Sequence, residues 1–173
     1  VALNSRRLVQ RHVNSLILSD FLCNKVGPTQ KEKTTLNTQW FYDDTLGPSQ
    51  CDRLLELLGS ATADIDEAIT FLVKGTALAN VEAHQLRREA MKQLQQLQER
   101  WLRVFDYLRE EELQAKGSGS YVKRLQIERA RHFKEYLLRD LSARTWLPGY
   151  GFPTDVVTFD NFTIEDYKRE KND

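Results

Sequence analysis

Six apolar residues spaced 4, 3, 4, 3 and 4 apart constrain this 173-residue chain more than any other feature: Ala90, Leu94, Leu97, Trp101, Val104 and Leu108. That alternation is the seam of a helix that packs lengthwise on another helix. It predicts one long helix from about Thr76 to Lys116, on the order of 60 Å at 1.5 Å per residue. Gly117-Ser118-Gly119-Ser120 stops it, as a natural turn or as a splice replacing a longer insertion. The next helix, Tyr121 to about Arg144, carries Val122, Leu125, Ala130, Phe133, Leu137 and Leu141. Two striped helices on so short a link predict an antiparallel helical hairpin over 76–144. Trp101, Val104 and Leu108 should face Val122, Leu125 and Ala130, with Leu94 and Ala90 meeting Phe133 and Leu137.

The remaining elements follow from periodicity and breakers. Leu8, Val9, Val13, Leu16, Ile17 and Phe21 make one stripe on a helix from about Asn4, its N-cap, to Cys23. Residues 24–48 read as a loop-rich insertion bounded by Gly27-Pro28 and Gly47-Pro48, with Trp40-Phe41-Tyr42 inside it. A short helix fits Ser49 to Leu58 with Gly59 at C′, and another starts at Thr62 or Asp64 and runs to Lys74. Residues 145–173 form a turn, a short strand over Asp155–Phe159 and a charged tail. The expected fold is mainly α: a single helical domain over 1–173, a bundle around the hairpin, with a short β-strand near the C-terminus. Val1 opens inside a helical pattern and the only methionine is Met91, so the chain reads as a fragment of a larger protein.

Charge narrows the function classes. Lys plus Arg and Asp plus Glu are 25 each, which excludes a histone-like polycation. The distribution is uneven, however: residues 1–35 carry net +4, 36–75 net −5 and 121–147 net +4. Arg6, Arg7 and Arg11, with Lys123, Arg124, Arg131 and Lys134, are the candidate nucleic-acid contacts, because such side chains hold phosphates. The competing reading is a solvated helix surface, since Arg124-Glu128, Arg131-Glu135 and Glu135-Arg139 fall at i,i+4. The Trp40-Phe41-Tyr42 cluster suits either base stacking or a core.

Catalytic chemistry finds no foothold. His12, Cys23, Cys51, His84 and His132 are scattered without paired ligand spacing, so neither a metal nor a cofactor is expected. Neither glycine-rich stretch continues into Gly-Lys-Ser/Thr, so there is no phosphate-cradling loop. Asp66-Glu67-Ala68-Ile69 resembles a Walker-B tetrapeptide but lacks the preceding hydrophobic strand. These acids suit the first turn of a helix. No nucleophile elbow is present. The apolar run Ser15 to Leu22 is broken by Asp20, so no membrane partner is expected and the location is read as cytoplasmic.

Two stretches carry a family resemblance: Arg11-His12-Val13-Asn14-Ser15 with Leu18 and Phe21-Leu22, and Trp146-Leu147-Pro148-Gly149-Tyr150-Gly151-Phe152-Pro153-Thr154-Asp155-Val156-Val157. Together they resemble a segment of very large bacterial DEAD/DEAH-type superfamily-2 helicases, some of them in anti-phage defence systems such as Druantia and DISARM. The resemblance implies a non-catalytic accessory region downstream of the ATPase lobes, partnered by the remainder of a helicase polypeptide and by DNA. Trp146, Tyr150 and Phe152 are the interface candidates. They either anchor a neighbouring domain or fold back on the first helix near Val13 and Ile17. The alternative function is a protein–protein scaffold on the hairpin, without nucleic-acid contact.

Overall fold

Ser5 opens the first helix, its Oγ accepting the Leu8 N–H at 3.3 Å, so the cap lies one residue beyond the expected Asn4. The computed structural model describes residues 5–26, 36–60, 62–115 and 119–149, and is mainly helical. Among the described residues there are seven α-helices. These are α1 (Arg6–Asp20), α2 (Thr38–Tyr42), α3 (Gln50–Ser60), α4 (Ala63–Leu72), α5 (Ala83–Gln114), α6 (Gly119–Lys134) and α7 (Leu137–Ala143). A π-helical turn, Phe21–Lys25, extends α1 past the expected Cys23. The strand expected over 155–159 lies outside the described residues.

Local chemistry explains most of the helix ends. Ser49 and Asp52 form a reciprocal cap on α3: Asp52 N–H donates to Ser49 Oγ and Ser49 N–H to Asp52 Oδ2, at 3.0 and 2.9 Å. Gly59, expected just past that helix, lies within its last turn instead. Thr62 holds the N-cap position of α4. Gly75 takes φ +73, a left-handed conformation that glycine adopts without steric cost. The chain then passes through successive turns, with Thr76 Oγ1 donating to the Val73 carbonyl at 2.6 Å. Buried Leu78 anchors this stretch. The long helix therefore begins at Ala83 and not at Thr76, and spans about 48 Å.

The burial pattern along α5 differs from a coiled-coil seam. Leu86, Ala90, Leu94, Trp101, Phe105 and Leu108 are buried, whereas Leu97 and Val104 are half-buried. From Leu86 to Leu108 is 22 residues in about six turns, a period nearer the 3.6 of a straight helix than the 3.5 of a coiled-coil seam. A straight α5 has different neighbours at its two ends. Its first half meets α1 and the chain after α7; its second half meets α6.

Trp101 is the hub of that second half. It is 1% exposed and stacks on Tyr42, Phe105, His132 and Phe133, with centroids 4.5–5.9 Å apart. Phe133 also meets Phe105 at 5.3 Å. Phe133 thus lies against Trp101 and Phe105, where Ala90 and Leu94 were expected. Trp101 and Phe133 stand equally far, 16 residues, from Gly117, so antiparallel pairing across the short link sets them opposite each other. The expected 121–144 helix also breaks just beyond Phe133. Thr38 N–H donates to the Glu135 carbonyl, Thr38 Oγ1 to the His132 carbonyl, and Leu137 N–H to the Leu36 carbonyl. An isolated antiparallel bridge pairs Asn37 with Tyr136. Those backbone groups no longer serve an uninterrupted helix, so α6 ends at Lys134 and α7 starts afresh. Within the 24–48 segment α2 is accordingly core material, with Thr38, Phe41 and Tyr42 buried, while residues 44–48 are exposed.

Candidate functional site

Three arginines and a short polar network meet where α1 crosses the first half of α5. Leu8 apart, every residue from Arg6 to Arg11 is polar or buried, and α1 has no acidic residue in its first turn. Gln10 and Asn14, four residues apart, are buried on α1 with Ser15, among the apolar Val9, Val13, Ile17 and Leu18. Gln10 Nε2 donates to Asn14 Oδ1 and to the Leu86 carbonyl, both at 3.0 Å. Asn14 is fully buried, and its Nδ2 donates to Gln93 Oε1 at 3.1 Å and to the Trp146 carbonyl at 2.9 Å. One carboxamide therefore ties α1, α5 and the chain after α7 together. Buried amides satisfied in this way hold a unique packing, since leaving them unpaired costs roughly 1–3 kcal/mol.

The chain after α7 makes a tight corner there. Trp146 N–H reaches back to the Leu141 carbonyl at 2.9 Å and Thr145 N–H to the Ser142 carbonyl at 3.0 Å, the two bonds of a Schellman cap. Glycine normally occupies the left-handed position of that cap; here Thr145 does, at φ 65. A β-branched side chain in this region is strained by about 1–2 kcal/mol. Arg144, one residue earlier, donates from Nε to Asp140 Oδ1 at 2.9 Å. Asp140 is buried, so the pair fixes the guanidinium.

Between these elements lies a cleft of about 580 Å³. Arg6, Arg7, Arg11 and Arg144 line it, with Gln10, Gln93, Gln96, Leu97 and Thr145; Glu89 is the only carboxylate among its described lining residues. Arg144 is already paired with Asp140, so Arg6, Arg7 and Arg11 against Glu89 supply the excess positive charge that makes the depression attract anions. Trp146 forms part of its wall but is 1% exposed, with its indole N–H held by the Ala90 carbonyl at 3.2 Å. Trp146 is thus core in this chain and not a surface for a neighbouring domain, and its contact with Asn14 places it on the first helix. Tyr150 and Phe152 lie outside the described residues.

The other basic candidates are elsewhere. Lys123, Arg124, Arg131 and Lys134 are exposed on α6, and none is among the described residues lining the cleft. Midpoints of the α1 and α6 contacts along α5, near residues 90 and 107, are roughly 25 Å apart at 1.5 Å per residue. Arg124 lies over the Tyr121 ring at 5.4 Å, Arg129 pairs with Glu112 at 2.9 Å, and Arg139 lies over Tyr136 at 5.3 Å. The two basic blocks therefore meet only through Arg144. In the sequence Arg144 is one basic residue among several in the 121–147 block, and its neighbours do not single it out. The signal that does point here is Gln10 and Asn14, polar at positions where the stripe demands apolar side chains.

The acidic tetrapeptide is a structural staple. Asp66 accepts from Arg87 Nε and Nη2 at 2.8 and 3.2 Å, while Arg87 Nη1 donates to the Leu58 carbonyl at 2.8 Å. That fork joins α3, α4 and α5. Burial pushes the Cys51 thiol well above its ordinary value, leaving it inert, and Cys23 is half-buried. Among the described residues no three His, Cys, Asp or Glu side chains are grouped to hold a metal ion. No described helix is long and apolar enough to cross a membrane. No family model, curated protein or solved structure matches the chain.

Proposed function

We propose that this chain is a non-catalytic structural and nucleic-acid-guiding module of a large ATP-dependent DNA helicase or translocase, of the kind found in phage defence. In this reading its helices form a bundle built around the antiparallel α5–α6 hairpin, and the remainder of the helicase polypeptide and DNA are its partners. The observation that carries the nucleic-acid part is the convergence of Arg6, Arg7, Arg11 and Arg144 on one cleft. Guanidiniums at that density fit the phosphate backbone, and their contacts release counterions. The helicase assignment rests on the resemblance of the Arg11–Leu22 and Trp146–Val157 stretches. A fluorescence-anisotropy titration with single- and double-stranded DNA at two salt concentrations tests it. Binding that weakens steeply with salt is expected, and salt-independent or absent binding refutes it.

A second reading, a protein–protein scaffold without nucleic-acid contact, is favoured by one other observation. Phe71 is 75% exposed in a shallow depression with Leu16, Ala68 and Leu72. The Lys74 ammonium lies 5.3 Å from the centroid of that ring, and an exposed aromatic beside other apolar groups marks a contact surface. This reading takes over if nucleic acid fails to bind and Phe71→Asp abolishes capture by the remainder of the polypeptide.

A further inference from the structure

We infer that the cleft between the start of α1 and the Arg144–Trp146 corner seats one nucleic-acid strand by its phosphates alone, and that the basic side chains of α6 take no part. This rests on the nucleic-acid reading above and narrows it to a ligand class and a site. Shape is the first reason. Proteins that read duplexes push a helix or ribbon outward into a groove. Here Arg6 and Arg7 are exposed at an open depression while Arg11 and Arg144 are half-buried in it, so a ligand that follows the depression inward reaches all four. A duplex, stiff over about 50 nm, meets only the rim, whereas a flexible single strand follows the surface inward. A volume of about 580 Å³ also lies within the range of roughly 300–1,000 Å³ typical of sites for small ligands, matching a nucleotide or two.

Chemistry is the second reason. Strand-binding grooves usually pair cationic side chains with aromatic platforms for bases. Trp146 is the only aromatic residue among the described lining residues, and its ring is buried with its N–H already engaged. With no free aromatic face among the described lining residues, the contacts these residues offer go to phosphate and carry no base information. Preorganisation is the third. Asp140 fixes Arg144 and Asn14 fixes the floor, while Thr145 is held in a strained conformation at the same corner. Strain of that kind persists where the surroundings over-determine it, and it clusters at ligand clamps.

The test uses the whole 173-residue chain. A labelled oligothymidine of about 20 nucleotides, an oligoadenine of equal length and a duplex are titrated at about 50 and 200 mM salt. Expected are at least tenfold tighter binding of either strand than of duplex, and less than threefold difference between the strands. Arg6 and Arg7 are exposed, so the Arg6→Gln/Arg7→Gln pair should keep the parent melting temperature. It should lower strand affinity at least tenfold and reduce the salt slope by about 1.4, roughly 0.7 for each phosphate that is no longer neutralised. Neutralising Lys123, Arg124, Arg131 and Lys134 together should change affinity less than twofold. If duplex binds as well as strand, or affinity follows the α6 changes, the inference is overturned while the nucleic-acid reading stands. If neither binds at the lower salt, both fall. Pyrophosphate competing as effectively as the strand, phosphate for phosphate, would make the cleft a free-polyphosphate site and overturn the strand assignment.

Discussion

Trp101 does more for the interior than any other side chain, because it touches helices α2, α5 and α6 at once. Replacing it with alanine removes a ring that four aromatic neighbours surround. Trp101→Ala should cost about 3–5 kcal/mol, measured by urea unfolding. A loss below about 1 kcal/mol would mean that the aromatic hub collapses to fill the gap. His132 lies flat against that ring at 4.5 Å, with Nε2 3.1 Å from the Trp101 carbonyl. A carbonyl only accepts, so Nε2 carries the proton. Burial first, and then the Arg100 and Arg144 charges, hold His132 below its ordinary value, against the Trp101 bond and Asp140. The unfolded chain therefore takes up a proton before the folded one, and stability falls as pH drops through about 6.5. Burial and Asp140 raise Glu135, which acts with the opposite sign at lower pH. Comparison with His132→Gln removes that background. The parent should lose more stability than the variant between about pH 7.5 and 5.5, and parallel losses would refute the assignment.

At the scale of elements, the corner after α7 joins fold and cleft. Its hydrogen bonds are those of a Schellman cap, yet the residue at the left-handed position is threonine. Thr145→Gly should raise stability by about 1 kcal/mol, read as an increase in the urea midpoint. Equal or lower stability would show that the threonine methyl packs well enough to offset its backbone cost. The same variant should bind nucleic acid no better, because freedom at this corner loosens Arg144. Helix existence was legible from periodicity for α1, α3, α4, α5 and α6. Two boundaries were not. Helix α5 starts seven residues late because Gly75 and the Thr76 turns claim the preceding segment. The break between α6 and α7 is invisible locally, since Glu135-Tyr136 contains neither glycine nor proline. It is imposed by Thr38 and Leu36, about a hundred residues away in the chain.

The whole molecule is organised by α5, which serves one set of neighbours at each end. Lacking a phosphate-cradling loop, the isolated chain should show no ATP turnover in a coupled assay; turnover abolished by a point change within it would overturn this. Residue order alone was enough for the helical class and the apolar stripes, together with the placement of large side chains such as Trp101 inside. Those follow from the 3.6-residue period and from water's exclusion of apolar surface, both local or additive properties. It also marked the basic blocks, though not which of them face each other. Packing in three dimensions was needed to bring Arg144 to Arg6, Arg7 and Arg11, while Lys123, Arg124, Arg131 and Lys134 are not among the described residues lining the cleft. It likewise placed Trp146 in the interior and bent the chain at Glu135. Each of these outcomes depends on a hydrogen bond between residues distant in sequence, Asn14 to Trp146 or Thr38 to Glu135. Such bonds form only where packing has already brought both partners out of water, so no pattern of residue spacing announces them.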